Sequence, residues 1–438
     1  MKRSVLKTAA ALFAAVLMLL TACAPAFTPP SFPAKDPEAY DPADVIEVPA
    51  GIRDLAEGLT AGRTDRRAVD NNFRLAHLNF SLQLALSQCA GKKENMLVSP
   101  LSVMTALAMA ANGADRETLA QMEQVLGFGM PIASLNEYLG TYLKELPNSD
   151  TARFTVANSL WVRETEVKKV FRGFLQNTAD YYDAAFYTAP FDTATVNAIN
   201  AWVSEKTDRM IPRLIDELDE KMILMILNAI VFDAEWGTAY SGSFDKTFHG
   251  AAGDTTVKMM RSMEAKYLET SFATGFIKPY SGGYSFVALL PNRGQTPESV
   301  LKAFTPETLG ELLKKPASAD VTAELPQFSY DYTATLNEPL QNMGMPLAFD
   351  KDNADFSRMF LLDEYNVYIS YVIHKTHIEV DENGTKAAAV TGIGIAVATG
   401  IDERPRHTVI LDRPFVYMII DNQNSLPIFI GTIQDLSN

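Results

Sequence analysis

Hydrophobic and polar residues follow two different periods along the chain. From about Asn71 apolar residues recur with helical spacing, and helices are predicted there and at 102–112, 117–126, 135–145 and 196–209. Strand patterns are denser downstream, and the predicted strands are 154–162, 222–232, 285–290, 321–328, 365–372 and 415–420. Helices followed by strands, without regular βαβ alternation, predict a single α+β domain over residues 71–438.

The N-terminus has the pattern of a targeting segment. Residues 1–7 are basic, and residues 8–20 are apolar but too short to cross a membrane comfortably. Leu20-Thr21-Ala22-Cys23 then resembles the bacterial lipoprotein processing site. The resemblance implies that residues 1–22 are removed and that the sulfur of Cys23 carries lipid, which anchors the protein outside a bacterial membrane. An ordinary signal peptide or an uncleaved anchor stays open as an alternative.

Residues 23–70 are predicted to be a tether. Residues 24–50 are rich in proline, alanine and acidic side chains and lack hydrophobic periodicity, which is typical of an extended linker. Residues 51–67 are ambiguous and could pack loosely against the domain. If Cys23 carries lipid, Cys89 is the remaining cysteine, so no intramolecular disulfide can form. Its apolar surroundings predict a small core residue rather than a nucleophile.

Composition and motifs exclude several functions. The net charge of −15 argues against nucleic acid, which requires clustered Lys and Arg. The chain lacks the common signatures of serine hydrolases, P-loop proteins, zinc proteases and redox dithiols. His374 and His377 form an H-x-x-H pair, but in a strand the two rings point to opposite faces. We therefore expect no metal, no cofactor and no catalytic residue, although an enzyme with an unrecognised site stays open.

Residues 385–399 alternate like a strand without the composition of a permanent one. One parity is small or β-branched and largely apolar, as burial on one face requires. Its members are Thr385, Ala387, Ala389, Thr391, Ile393, Ile395 and Val397. Lys386 is the only charge and lies on the other parity, while Gly392 and Gly394 lower the strand preference. An ordinary central strand or a flexible Gly/Ala linker would satisfy the pattern equally well.

Several short segments, in order along the chain, look like signatures of one family. They are residues 95–102 (NMLVSPLS), 227–236 (LNAIVFDAEW), 381–389 (DENGTKAAA), 412–415 (DRPF) and 427–431 (PIFIG). Through them the chain resembles the serpins, over about 71–438. The resemblance implies helices around a large central mixed β-sheet, an exposed reactive loop, and inhibition of serine proteases by insertion of that loop, once cut, into the sheet. The protease then stays bound as an acyl-enzyme.

The resemblance also assigns roles to particular residues. The hinge of the loop comprises Glu382, Gly384, Thr385, Ala387, Ala388, Ala389 and Thr391. The shutter, where the sheet must part, comprises Ser99, Ser102, Asn228 and His374. The breach, where the loop first inserts, maps to Trp236. The family usually has Glu directly after Gly-Thr, whereas this chain has Lys386, which could slow early insertion.

Spacing in the family places the cut between Ala398 and Thr399. A slip of one residue would move it to Val397 or Thr399, and Arg404 and Arg406 would suit a trypsin-like enzyme but lie far from the hinge. Small residues before the cut favour elastase- or subtilisin-like proteases. We expect a monomer whose partners are a serine protease and a membrane. A non-inhibitory serpin that acts as a surface binding module or chaperone stays open.

Overall fold

The structure is a computed structural model that describes residues 40–41, 43–62, 66–219, 221–361, 366–385 and 404–437. In these residues the helices are α1 (Asn71–Cys89), α2 (Pro100–Ala111), α3 (Arg116–Gly127), α4 (Ile132–Glu145), α5 (Arg172–Tyr182), α6 (Thr193–Lys206), α7 (Pro297–Ala303), α8 (Pro306–Lys314) and α9 (Asn337–Met343). A short 3-10 helix follows at Pro346–Phe349. None of the described helices is both long and apolar enough to cross a membrane.

The strands of the described residues form two large sheets and one small one. They are β1 (Val45–Glu47), β2 (Arg53–Asp54), β3 (Met96–Val98), β4 (Ala152–Arg163), β5 (Lys169–Phe171), β6 (Ala185–Ala189), β7 (Leu224–Glu235), β8 (Ser243–His249), β9 (Asp254–Glu269), β10 (Ala273–Pro279), β11 (Tyr284–Pro291), β12 (Ala317–Pro326), β13 (Phe328–Thr335), β14 (Ile369–Val380), β15 (Gly384–Thr385), β16 (Arg406–Ile410), β17 (Phe415–Asp421) and β18 (Leu426–Ile433).

The first large sheet has the order β13-β14-β15-β7-β4-β6-β2 in the described residues. Its centre is β7, a run of apolar residues with both faces buried over most of its length, as a strand covered on two sides requires. The second large sheet has the order β16-β12-β9-β10-β11-β17-β18-β3, with β8 paired to β9. Both faces of β11, β17 and β18 are buried, so these strands belong to the core.

Helix α2 contacts the first sheet through β4 and β7, and the second through β18. Every residue of α2 is buried, which explains its nearly unbroken run of small and apolar side chains. Ser99 caps it by accepting the backbone N–H of Ser102, with Pro100 in the first turn, where a missing N–H does no harm. Two sheets with helices packed against them confirm the α+β class.

Two strand predictions were wrong in their bounds. The segment 321–328 was predicted as one strand, but Gln327 separates β12 from β13. The strand predicted at 365–372 is β14, which begins at Ile369 and runs on to Val380. Its second half was missed because its buried face carries polar side chains, among them His374 and Thr376, which hide the alternation.

Parts of the segment predicted as a tether, residues 23–70, pair with strands of the domain. Strand β1 pairs with β5, and β2 pairs with β6 at the edge of the first large sheet. The hydroxyl of Tyr40 accepts a hydrogen bond from Nδ2 of Asn177 at 2.8 Å. The proline-rich composition hid these short pairings, because two or three extended residues give no periodic signal.

Candidate functional site

The two edges of the central strand β7 meet their neighbours differently. Along the edge facing β14 the strands are parallel and pair from Ile369 to Lys375 against Leu224 to Ala229. We call this pairing the seam. Above it the two strands separate, and β15 lies between them, with Thr385 opposite Val380 of β14 and Ala234 of β7. Below, β7 and β14 are therefore paired with each other, and above the seam the two-residue strand β15 lies between them.

A row of polar side chains crosses the sheet at the upper end of the seam. Asn158, Asn228 and His374 are register neighbours on β4, β7 and β14. Oδ1 of Asn228 lies 2.7 Å from Nδ1 of His374, and Nδ2 of Asn228 donates to Oδ1 of Asn158 at 2.5 Å. All three side chains are buried, so these bonds satisfy groups that water cannot reach.

His374 is neutral and its tautomer follows from its partners. Burial lowers the pKa of His374 to about 3, because the charged ring cannot be solvated there. Nε2 accepts the backbone N–H of Ser99 at 3.1 Å, so the ring proton is on Nδ1 and is donated to Asn228. The histidine therefore joins β14 both to β7 and to the start of α2.

The two serines complete this contact. Oγ of Ser99 donates to the carbonyl of Ile428 at 2.7 Å, and Nδ2 of Asn228 donates to the carbonyl of Ser102 at 3.1 Å and to its hydroxyl. The structure thus brings together the residues predicted as the shutter. It adds Asn158, which the sequence analysis missed because one polar residue in an alternating strand is typical of an outward-facing position.

Trp236 lies at the upper end of β7, where β15 occupies the gap. Its indole Nε1 donates to the carbonyl of Asp381 at 2.9 Å, and its backbone N–H donates to the carbonyl of Asn383 at 2.8 Å. The indole stacks on the ring of Tyr280, with 4.3 Å between centroids and 7° between planes. The predicted breach residue therefore holds the chain just before β15. Tyr280 was not singled out from the sequence.

A tight turn at residues 381–384, the hinge turn, joins β14 to β15. Oδ1 of Asp381 accepts the N–H groups of Asn383 and Gly384 at 2.7 and 3.1 Å. A Cβ on Gly384 would lie 2.1 Å from the carbonyl oxygen of Ala234, so no larger residue fits without a backbone shift. Glu382 accepts from the hydroxyl of Ser243 at 2.9 Å.

Thr385 is the first loop residue whose side chain enters the sheet. It is 1% exposed, and its hydroxyl lies 2.5 Å from that of Tyr280. Small size and a satisfied hydroxyl are what this position requires. The other predicted loop residues lie outside the described residues: Lys386, Ala387, Ala388, Ala389, Thr391, Ala398 and Thr399. So does Cys23. The chain is described again from Arg404, just before the edge strand β16.

Two residues that the sequence analysis considered, His377 and Cys89, lie outside this site. His377 faces away from His374 and lies 2.7 Å from Asp331, as the strand spacing predicted. Cys89 is 1% exposed, and burial raises the pKa of its thiol to about 12, which agrees with a core residue. No three His, Cys, Asp or Glu side chains in the described ranges are grouped to hold a metal ion.

The central sheet thus has a parallel seam between β7 and β14, buried polar side chains that bond across it, and β15 between the same two strands above it. The family model described as "Serpin (serine protease inhibitor)" matches residues 75–436. The chain therefore belongs to the serpin family. Among its relatives, Iripin-8 of the tick Ixodes ricinus is 30% identical, over 87% of this chain and 98% of its own length.

Another relative and two solved structures are also similar to this chain and are serpins or named inhibitors. Leukocyte elastase inhibitor of Bos taurus is 32% identical over 77% of this chain and 92% of its own. The crystal structure of the thermophilic serpin tengpin in the native state superposes with a TM-score of 0.83 and 43% identity, covering 88% of this chain and all of that one. The latent state of tengpin gives a lower TM-score of 0.75. These likenesses confirm the serpin fold.

Proposed function

We propose that this protein inhibits serine proteases by inserting its cut reactive loop into the seam between β7 and β14. The observation that carries the proposal is the position of β15. Thr385 is already paired with both flanking strands and Gly384 with β7, while β7 and β14 remain paired with each other along the seam. The residues that follow have only to continue a strand that has begun.

The protease supplies the chemistry. Its serine oxygen attacks the carbonyl carbon of Ala398, an ester forms there, and the bond to Thr399 breaks as the amine of Thr399 takes up a proton. The free loop then extends from Thr385 down the seam, antiparallel to β14 and to β7. The parallel ladder is replaced by two antiparallel ones, and each added backbone hydrogen bond contributes about 1 kcal/mol net. Insertion carries the ester away before water cleaves it.

For the target we propose proteases with a small, shallow primary pocket, of the elastase or subtilisin kind. The residues before the proposed cut are Ile395, Ala396, Val397 and Ala398, which are small or β-branched and uncharged. Relatives from Bos taurus and Mus musculus are named leukocyte elastase inhibitors, which supports this target class for the present chain.

The test is incubation of the purified protein with pancreatic elastase and, separately, with subtilisin. We expect a complex that survives SDS and heat, together with a cut form whose new N-terminus is Thr399 by mass spectrometry. Cutting without any stable complex would contradict inhibition and favour the non-inhibitory binding module. A new N-terminus at residue 398 or 400 would move the reactive bond by one residue and leave the mechanism intact.

We further propose that Cys23 is lipidated and holds the protein on the outer face of a bacterial membrane. The support is the sequence alone: a basic segment, an apolar segment and Leu-Thr-Ala-Cys in the expected order. In a bacterial host, the full chain should partition into the detergent phase, and Cys23→Ser should move to the aqueous phase. Equal partitioning of the two proteins, with no lipid mass on Cys23, would contradict the anchor.

A further inference from the structure

A buried ion pair lies close to the mouth of the seam, by which we mean the upper end where Thr385 lies between Val380 and Ala234. Lys278 on β10 is 2% exposed and Glu264 on β9 is 8% exposed. Nζ of Lys278 and Oε1 of Glu264 are 3.1 Å apart, and the same carboxylate oxygen accepts from the hydroxyl of Ser262 at 2.6 Å. Removing two charges from water is unfavourable, and well-packed apolar residues would do as well for stability alone. The pair therefore calls for a reason beyond stability.

Lys278 binds the five residues that follow β7, which we call the 236–240 segment. Its ammonium group donates to the carbonyl of Thr238 at 3.0 Å. The same nitrogen lies over the ring of Tyr240, 4.2 Å from its centroid, and 5.3 Å from the ring of Trp236. A cation over an aromatic face is attracted to it, more strongly when both are desolvated. Lys278 thus contacts the first, middle and last residues of the segment, which are Trp236, Thr238 and Tyr240.

The 236–240 segment in turn holds the hinge turn. Trp236 donates to the carbonyls of Asp381 and Asn383, as described above, and the backbone N–H of Tyr240 donates to the carbonyl of Glu382 at 2.9 Å. Three successive carbonyls of the turn are therefore bound by one short segment. That segment is bound by one buried lysine, whose charge is balanced by a carboxylate on a third strand.

We propose that the Lys278–Glu264 pair is a positioning device for loop insertion, which fixes the hinge turn while the seam below it opens. The inference rests on the proposed inhibitory function. A strand that grows from Thr385 needs its first residues kept in register with β14 and β7. If the turn is free to move, insertion starts later, and more acyl-enzyme is hydrolysed before it is trapped.

The experiment uses the full chain carrying Lys278→Met together with Glu264→Gln, so that neither partner is left as an unpaired buried charge. The expected result is about a tenfold fall in the ratio of trapped to released elastase, the size that losing a hydrogen bond to a charged group gives. The rate at which the loop is cut should not change. Lys246→Met is the matched control, because Glu324 keeps its contact with Arg261 at 2.7 Å and neither group touches the hinge turn.

A second measurement, amide hydrogen exchange, uses the uncut protein without any protease. The amide protons of Trp236 and Tyr240, which bond the turn, should exchange with solvent about tenfold faster in the uncut double variant than in the uncut wild type. Faster exchange together with the lower trapping ratio supports the proposal. Unchanged exchange, or an unchanged ratio in a wild type that traps elastase, overturns it. A wild type that traps nothing contradicts the proposed function instead, and the exchange measurement then decides the positioning role alone.

Discussion

The two edges of β7 differ in the direction and the continuity of their strand pairing. On the β4 side the pairing is antiparallel and unbroken from Ala152 opposite Ala234 to Val162 opposite Leu224. On the β14 side the pairing is parallel, has an irregularity near Ile369, and stops at Lys375. Parallel ladders are slightly less stable per residue than antiparallel ones. The seam is therefore the edge of β7 that we expect to part during the proposed insertion.

The difference extends to the side chains that hold each edge. At the upper end of the seam, the side chains of His374 on β14 and Asn228 on β7 are joined by a hydrogen bond. A polar contact of this kind is strong when complete and is lost as a unit when one partner moves. Loss of this contact as a unit fits the proposed insertion, in which the two strands of the seam must separate completely.

The largest expected effect comes from a charge placed at the mouth of the seam. Thr385→Arg would place a guanidinium where 1% of the side chain is now exposed. Burying this unpaired charge would raise the free energy of the inserted state by about 3 kcal/mol or more. We expect elastase to cut this variant at the normal rate and to form no SDS-stable complex with it. Gel electrophoresis of the reaction products checks this.

Two controls sharpen that prediction. Thr385→Ser keeps the hydroxyl that faces Tyr280 and should still trap the protease. On the other edge of β7, Arg153 of β4 lies one position from the same height, so its side chain is on the opposite face of the sheet, where 40% of it is exposed. A charge is thus accommodated on the half-exposed face of the sheet, and we expect that it is not accommodated on the buried face, where Thr385 lies. Full trapping by Thr385→Arg would contradict this distinction.

Much of this site could be predicted from the sequence, because its parts lie in short motifs. Gly384, Thr385, Trp236 and the four shutter residues were all identified before their contacts were known. Asn158, Tyr280 and Lys278 were not. Asn158 lies 70 residues from its partner Asn228, and alternation predicts which face a side chain occupies but not which strand lies beside it. Such residues become visible only when register is known.

A second, smaller effect is expected from acid. The folded pKa of His374 is about 3, against about 6.5 in an unfolded chain, so the unfolded state binds a proton first as the pH falls. The stabilisation is complete above pH 6.5 and is lost progressively toward pH 3. At pH 5 this one group should lower the free energy of unfolding by about 2 kcal/mol.

Urea unfolding at pH 7.5 and at pH 5 measures that change. Burial also lowers the pKa of His77 to about 3, so part of the acid effect does not come from the seam. In His374→Gln the contribution of His77 is retained, and the pH dependence should shrink by the share of His374. An identical pH dependence in the variant would show that the seam is not the acid-sensitive edge of β7.

The smallest expected effect is at Tyr280, which links the mouth of the seam to the second sheet. Tyr280→Phe keeps the stack on Trp236 but removes the hydroxyl that lies 2.5 Å from that of Thr385. Loss of this hydrogen bond should destabilise the position of Thr385 by about 1 kcal/mol. Because Thr385 is already paired before the cut, its loosening should delay the start of insertion, and trapping of elastase should fall a few-fold while cutting continues at the wild-type rate. An effect on cutting alone would instead mean that Tyr280 acts on the exposed loop and not on the edge of β7 that opens.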